Sequence, residues 1–125
     1  MNRNLSMILR LTALVASILF PVSLALAEGL PEVTPTSIDK GRSIAFNRNA
    51  GNCLSCHFVV DAELPGNLGP PLIQMQARFP DRAVLRAQIW NAASQNPDTI
   101  MPPYGKHNIL TESEVDLVVD YIYSL

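Results

Sequence analysis

A chain of 125 residues, 48% hydrophobic and 16% charged, has room for one small domain. Its formal net charge of −2 lacks the basic excess that marks nucleic-acid binding, which excludes that class of partner at the outset. A domain of this size buries roughly 60–70% of its surface and often needs a staple or a cofactor, so the chain's two cysteines become the place to look.

The first element lies ahead of the fold. Residues 1–27 carry Arg3 and Arg10, then an apolar run of 16 residues from Leu11 to Leu26, then the small pair Ala25 and Ala27. That order of charge, apolar core and A-x-A triplet predicts a secretory signal peptide cleaved after Ala27. An uncleaved anchor would want about 20 spanning residues, and Pro21 interrupts this run. Cleavage leaves 98 residues with seven basic against eleven acidic side chains, a net charge of −4, and no membrane span. Residues 28–36 read as a proline-containing arm, and residues 37–125 as the domain.

In "TPTSIDKGRSIAFN", Ser37 is placed to cap a helix whose Ile38, Gly41 and Ala45 recur at helical spacing. Gly41 weakens that helix and marks the close approach of another element.

Next comes "NAGNCLSCHFVV", which holds both cysteines, Cys53 and Cys56, followed at once by His57. A disulfide between them would close a loop too small to constrain the unfolded chain. A thioredoxin-like pair needs a βαβ setting, and no strand alternation follows. A zinc site needs four ligands, and only the distant His107 could join these three. Covalent haem c needs what is present. Two thiols one helical turn apart form thioethers with the two vinyl groups, and the adjacent imidazole reaches the iron. One haem per chain is expected, with His57 as a metal ligand.

The iron then needs a second ligand or an open site, and the candidates are Met75, Met101 and His107. "ELPGNLGPPLIQ" reads as loop. Met75 follows it in a helical stretch, where methionine is more often core filler. His107, in a polar loop, reads as a surface residue. Met101 sits in "DTIMPPYGKHNIL", where Pro102 and Pro103 forbid helix and keep the chain extended. Met101 is therefore the expected second metal ligand. Its thioether favours ferrous iron and raises the reduction potential.

Two further helices complete the chain. "FPDRAVLRAQIWNAASQNP" predicts Asp81 as N-cap, Val84, Leu85, Ile89 and Trp90 on the inner side, and Pro97 as the far limit. "LTESEVDLVVDYIYSL" opens on a capping box, Thr111 with Glu114, and buries Val115, Val118, Val119 and Ile122, flanked by Leu117 and Tyr121.

Gly41, CxxCH, "LGPPL", a Met-Pro loop and a last helix with Tyr121 together resemble a class I cytochrome c over nearly all of residues 36–125. The resemblance implies an all-α fold of short helices packed around the haem. It implies that Tyr121 packs on Gly41, that the Pro70 carbonyl takes the second nitrogen of His57, and that Leu72 of the same segment lines the haem. A hydrogen bond of that kind fixes ring orientation and strengthens the imidazole as a donor.

A narrower resemblance rests on "RFPDRAVLRAQIWNA" and "NPDTIMPPYGKHNILTE". These blocks are similar to the SoxX family, the small monohaem subunit of the periplasmic thiosulfate-oxidising Sox complex. It implies a periplasmic protein paired with a larger cytochrome c subunit of the SoxA type. The pair attaches thiosulfate oxidatively to a carrier-protein cysteine, and electrons pass to a downstream cytochrome. With Cys53 and Cys56 committed to haem, no thiol remains for sulfur chemistry, so no residue here is assigned a catalytic role. Leu64, Leu68 and Tyr104 either line the haem pocket or face a partner. Two other functions stay open at this point, a free-standing electron shuttle to an oxidase and a haem enzyme or sensor with an open sixth position.

Overall fold

The computed structural model describes residues 35–60 and 62–125, and every regular element among them is a helix. The expected signal peptide and nearly all of the expected arm lie outside the described residues. Helix α1 spans Pro35–Phe46, α2 Met75–Arg78, α3 Arg82–Trp90 and α4 Glu112–Tyr123, with short 3₁₀ turns at Cys53–Ser55 and Ala92–Ser94. Helix α1 is described from Pro35, which places Ser37 inside its first turn and not ahead of it. Proline suits a first turn because its missing N–H would have no partner there.

Helices α1 and α4 cross with their backbones nearly touching. A Cβ on Gly41 would overlap the Leu117 carbonyl of α4 and lie 2.9 Å from the Cβ of Tyr121. The glycine therefore admits the backbone of α4 as well as its aromatic. Beside the crossing, Tyr121 meets Phe46 edge-on at 5.9 Å, and the Arg42 guanidinium lies over the Phe46 ring at 4.3 Å from its centre. Val115, Val118, Val119, Tyr121 and Ile122 are buried as the period predicts, and Leu117 is half-buried. The capping box is complete: Thr111 Oγ1 accepts from the Glu114 N–H at 3.3 Å, and Glu114 Oε2 accepts from the Thr111 N–H at 2.8 Å.

Asp81 caps α3 by accepting from the Ala83 N–H at 2.8 Å. Leu85 and Ile89, four apart, face the core, and Trp90 is half-buried. Val84, expected on the inner side, is 48% exposed, because one residue's rotation carries it off the Leu85–Ile89 stripe. The helix also stops at Trp90, well short of Pro97. Asn91 leaves helical geometry there, and the Trp90 carbonyl accepts instead from the Gly105 and Lys106 N–H groups at 3.2 and 3.1 Å.

A charged seam joins α3 to α4. Arg82 pairs with Asp120 and donates to the Asp116 carbonyl at 3.2 Å, while Arg86 Nε reaches Asp116 Oδ1 at 2.6 Å. Asp120 is only 8% exposed, so its partner is needed to offset desolvation of the carboxylate.

Candidate cofactor site

Asn47, just past α1, folds the chain back on itself. Its carbonyl accepts from the Ala50 and Asn52 N–H groups at 3.1 and 3.0 Å, and the Gly51 N–H donates to the Ile44 carbonyl at 3.1 Å. Asn52 then takes the left-handed conformation at φ 48°, tolerable for asparagine, and starts the 3₁₀ turn that presents Cys53. The His57 N–H closes the turn on the Cys53 carbonyl at 2.9 Å. Local backbone bonds thus place both thiols and the imidazole in one short segment.

Both thiols are free. Burial pushes Cys53 up to about 11, its own backbone hydrogen bond opposing and Cys56 adding. It is therefore a neutral S–H at physiological pH. Among the described residues no three His, Cys, Asp or Glu side chains converge as a metal-ligand set.

His57 Nδ1 lies 2.7 Å from the Pro70 carbonyl. A carbonyl only accepts, so Nδ1 is the donor in this bond, which in the neutral ring puts the lone pair on Nε2. The segment that supplies this carbonyl is pinned alongside: the Gly69 N–H donates to Cys56 O and the Leu72 N–H to Phe58 O, both at 2.8 Å. Arg78 Nη1 holds the next carbonyl, Pro71 O, at 2.6 Å. A Cβ on Gly69 would stand 2.7 Å from His57 Nδ1, so only glycine lets this strap lie against the ring.

Cys53, Cys56, His57, Pro70, Leu72 and Met101 all border one cavity of about 650 Å³. Its wall is chiefly apolar, with Leu85, Ile89, Val118 and Ile122 behind it. Met101 is half-buried, its sulfur 3.9 Å from Gln88 Nε2 and its N–H on Thr99 Oγ1 at 3.1 Å. Met75 borders the cavity too, but it is 2% exposed within the core and Arg78 Nη1 lies 3.3 Å from its sulfur. His107 is exposed and does not border the cavity.

The three residues left between pocket and partner face separate. Tyr104 is buried on the cavity wall, its hydroxyl donating to the Gly51 carbonyl at 2.6 Å. Burial, then the nearby Cys53 and Cys56, pushes that phenol up to about 12. Leu68 stands at the rim, 72% exposed. Leu64 is 92% exposed and borders a separate polar cavity with Arg42, Arg48 and Glu63. Gln88 and Arg78 were not singled out from the sequence, since nothing in their spacing reports a contact with Met101 or Pro71.

The family model for cytochrome c matches residues 38–125. This chain belongs to the cytochrome c family. A cytochrome c holds haem c covalently, and the residues on this cavity fit it. Two free thiols, an imidazole and a thioether border one chiefly apolar space large enough for a planar macrocycle. The cytochrome also resembles a chain in the crystal structure of SoxXA from P. pantotrophus, with a TM-score of 0.62 and 26% identity over 69% of this chain and 79% of that one. It is a SoxX-like cytochrome in sequence blocks and in fold. It is 32% identical over 74 residues to an uncharacterized lipoprotein of Aquifex aeolicus. That match covers 58% of this chain and 36% of the relative, so the chain spans about a third of that protein's length. No helix among the described residues is long and apolar enough to cross a membrane.

Proposed function

We propose that this cytochrome is the electron-accepting monohaem subunit of a thiosulfate-oxidising pair. It would be exported to the periplasm, dock with a larger SoxA-type cytochrome c and pass electrons to a downstream cytochrome. The observation that carries the reading is the likeness to a SoxXA chain over most of both lengths. The cysteine count supports it, because two thiols serve two thioethers and leave none for sulfur transfer.

In this reading Cys53 and Cys56 would anchor one haem. His57 would hold the iron through Nε2, its ring oriented by Pro70, and Met101 would supply the second ligand. The bound haem contributes a reversible one-electron couple. With His57 and Met101 both serving as its ligands, the iron would keep no place for substrate or oxygen, and this chain would carry outer-sphere electron transfer only. A neutral imidazole and a thioether both favour the ferrous state relative to anionic ligands, as an electron acceptor requires. The cavity rim offers Leu68, Ile100 and Ile109, 72%, 76% and 45% exposed, as an apolar collar for a partner.

The test is purification of the exported protein from its native host. Expected are co-purification with a larger haem protein bearing an additional cysteine, and reduction of this haem by thiosulfate when that partner and the carrier protein are present. A chain that always runs alone and is reduced equally well without them would establish the free-standing shuttle instead.

A further inference from the structure

The loop that carries Met101 is tied almost wholly to α3 and to itself. The Thr99 N–H donates to Asn96 O, the Met101 N–H to Thr99 Oγ1, and the Gly105 and Lys106 N–H groups to Trp90 O. The Ile109 and Leu110 N–H groups return to Tyr104 O at 2.9 and 3.1 Å. Across the cavity, the segment with Cys53, Cys56 and His57 is tied to α1 and to the Gly69–Leu72 strap. Among the described residues one hydrogen bond joins these two systems, from the Tyr104 hydroxyl to Gly51 O.

Both ends of that bond are anchored. Gly51 cannot retreat, since its N–H is held by Ile44 O and a Cβ there would stand 2.8 Å from the same oxygen. Tyr104 is 8% exposed, and its backbone carbonyl is the acceptor that closes the Met101 loop on itself. The bond is buried, where no water replaces it if it breaks.

We propose that Tyr104 is a positioning residue that latches the Met101 loop to the cysteine segment and so keeps the Met101 thioether on the iron. The inference rests on the ligation of Met101 argued above. A methionine ligand and the latch span the same two walls, so each holds the other in place. Opening the latch lowers the cost of swinging Met101 away, and an external ligand then competes better for the iron.

The test is imidazole binding to the ferric holoprotein, followed by loss of the near-infrared methionine-to-iron band. In Tyr104→Phe the ring stays and only the hydroxyl goes, and imidazole should bind about 3- to 10-fold more tightly, the range set by one buried hydrogen bond. Tyr123→Phe also removes one tyrosine-to-carbonyl bond, an exposed one to Pro80 O at 3.3 Å away from the cavity, and should bind imidazole as the parent does. A Tyr104→Phe protein with parental imidazole affinity, or an equal gain in Tyr123→Phe, would overturn the latch. Met101→Ala separates the two possible failures. If it keeps the band, the ligation reading is overturned and the latch with it. If it loses the band while Tyr104→Phe binds imidazole as the parent does, only the latch is overturned.

Discussion

The segment bearing Cys53, Cys56 and His57 and the loop bearing Met101 border the same cavity, yet they are built differently. The first is ordered by near-neighbour bonds: Asn47 to Asn52, Asn52 to Ser55, Cys53 to His57, then Gly69 and Leu72 alongside. Its chemistry is written as a spacing. The second gets its direction from two prolines and its place from distant partners, the Trp90 carbonyl, the Trp90 indole and the Gly51 carbonyl. One wall is specified locally, and the other only once α3 and α1 are in position. Perturbations should therefore separate the proposed covalent attachment from the proposed ligation by Met101.

The largest effect is expected from Cys53→Ala with Cys56→Ala. Haem should become extractable by acidified organic solvent, which removes none from the parent, and retention of pigment in the extracted protein would contradict the assigned anchors. Next is Gly105→Ala. A Cβ there would overlap the Trp90 ring, and overpacking of this kind costs about 1–3 kcal/mol. The methionine-to-iron band should weaken while the thioethers stay intact, because only the second wall is displaced. An unchanged band would show that the packing of Gly105 on Trp90 does not set where Met101 stands, and altered thioether attachment would show that the two walls are not independent.

Arg82→Ala should cost about 2–3 kcal/mol by chemical denaturation, since it strands the mostly buried Asp120 carboxylate; the upper range is reduced because Arg82 keeps 25% exposure. Arg86→Ala, whose pair with Asp116 is 32% and 47% exposed, should cost under about 1 kcal/mol. Equal losses would mean that burial is not what separates the two pairs. Thr111→Ala should cost about 1 kcal/mol through the lost cap.

The smallest effect is expected from Glu114→Gln, and it should depend on pH. Bonds from the Thr111 backbone N–H and then its hydroxyl hold the Glu114 carboxyl below its ordinary 4.5. A carboxyl lowered in the folded state stabilises fully above its unfolded pKa, and the contribution is lost as pH falls through the folded one. The melting-temperature deficit of Glu114→Gln should thus be largest at neutral pH and vanish well below pH 4.5. A deficit that persists there would assign it to packing.

Much of this was legible in the chain. The capping box at Thr111, the Asp81 cap, the buried stripe of α4 and the Pro70–His57 hydrogen bond are all where the sequence and its resemblance place them. Each depends on residues close together or on a motif of fixed spacing. The misses have a common cause. Ser37 suits a helix start in isolation, but α1 is described from Pro35. Val84 is apolar, but the register of α3 is set by Leu85 and Ile89. The end of α3 at Trp90 follows from a loop fifteen residues away taking its carbonyl.

The sequence by itself determined the chemistry, namely two thiols and an imidazole at the spacing haem attachment requires, and a methionine held out of helix by Pro102 and Pro103. It also displayed Arg82 and Arg86 four apart, and Asp116 and Asp120 four apart, without saying that they meet. Only the tertiary structure paired them, laid Gly69 against the imidazole and joined Tyr104 to Gly51. Spacing encodes contacts along one element because helix and turn geometry repeat. Contacts between elements depend on where packing sets each backbone, and no local period carries that.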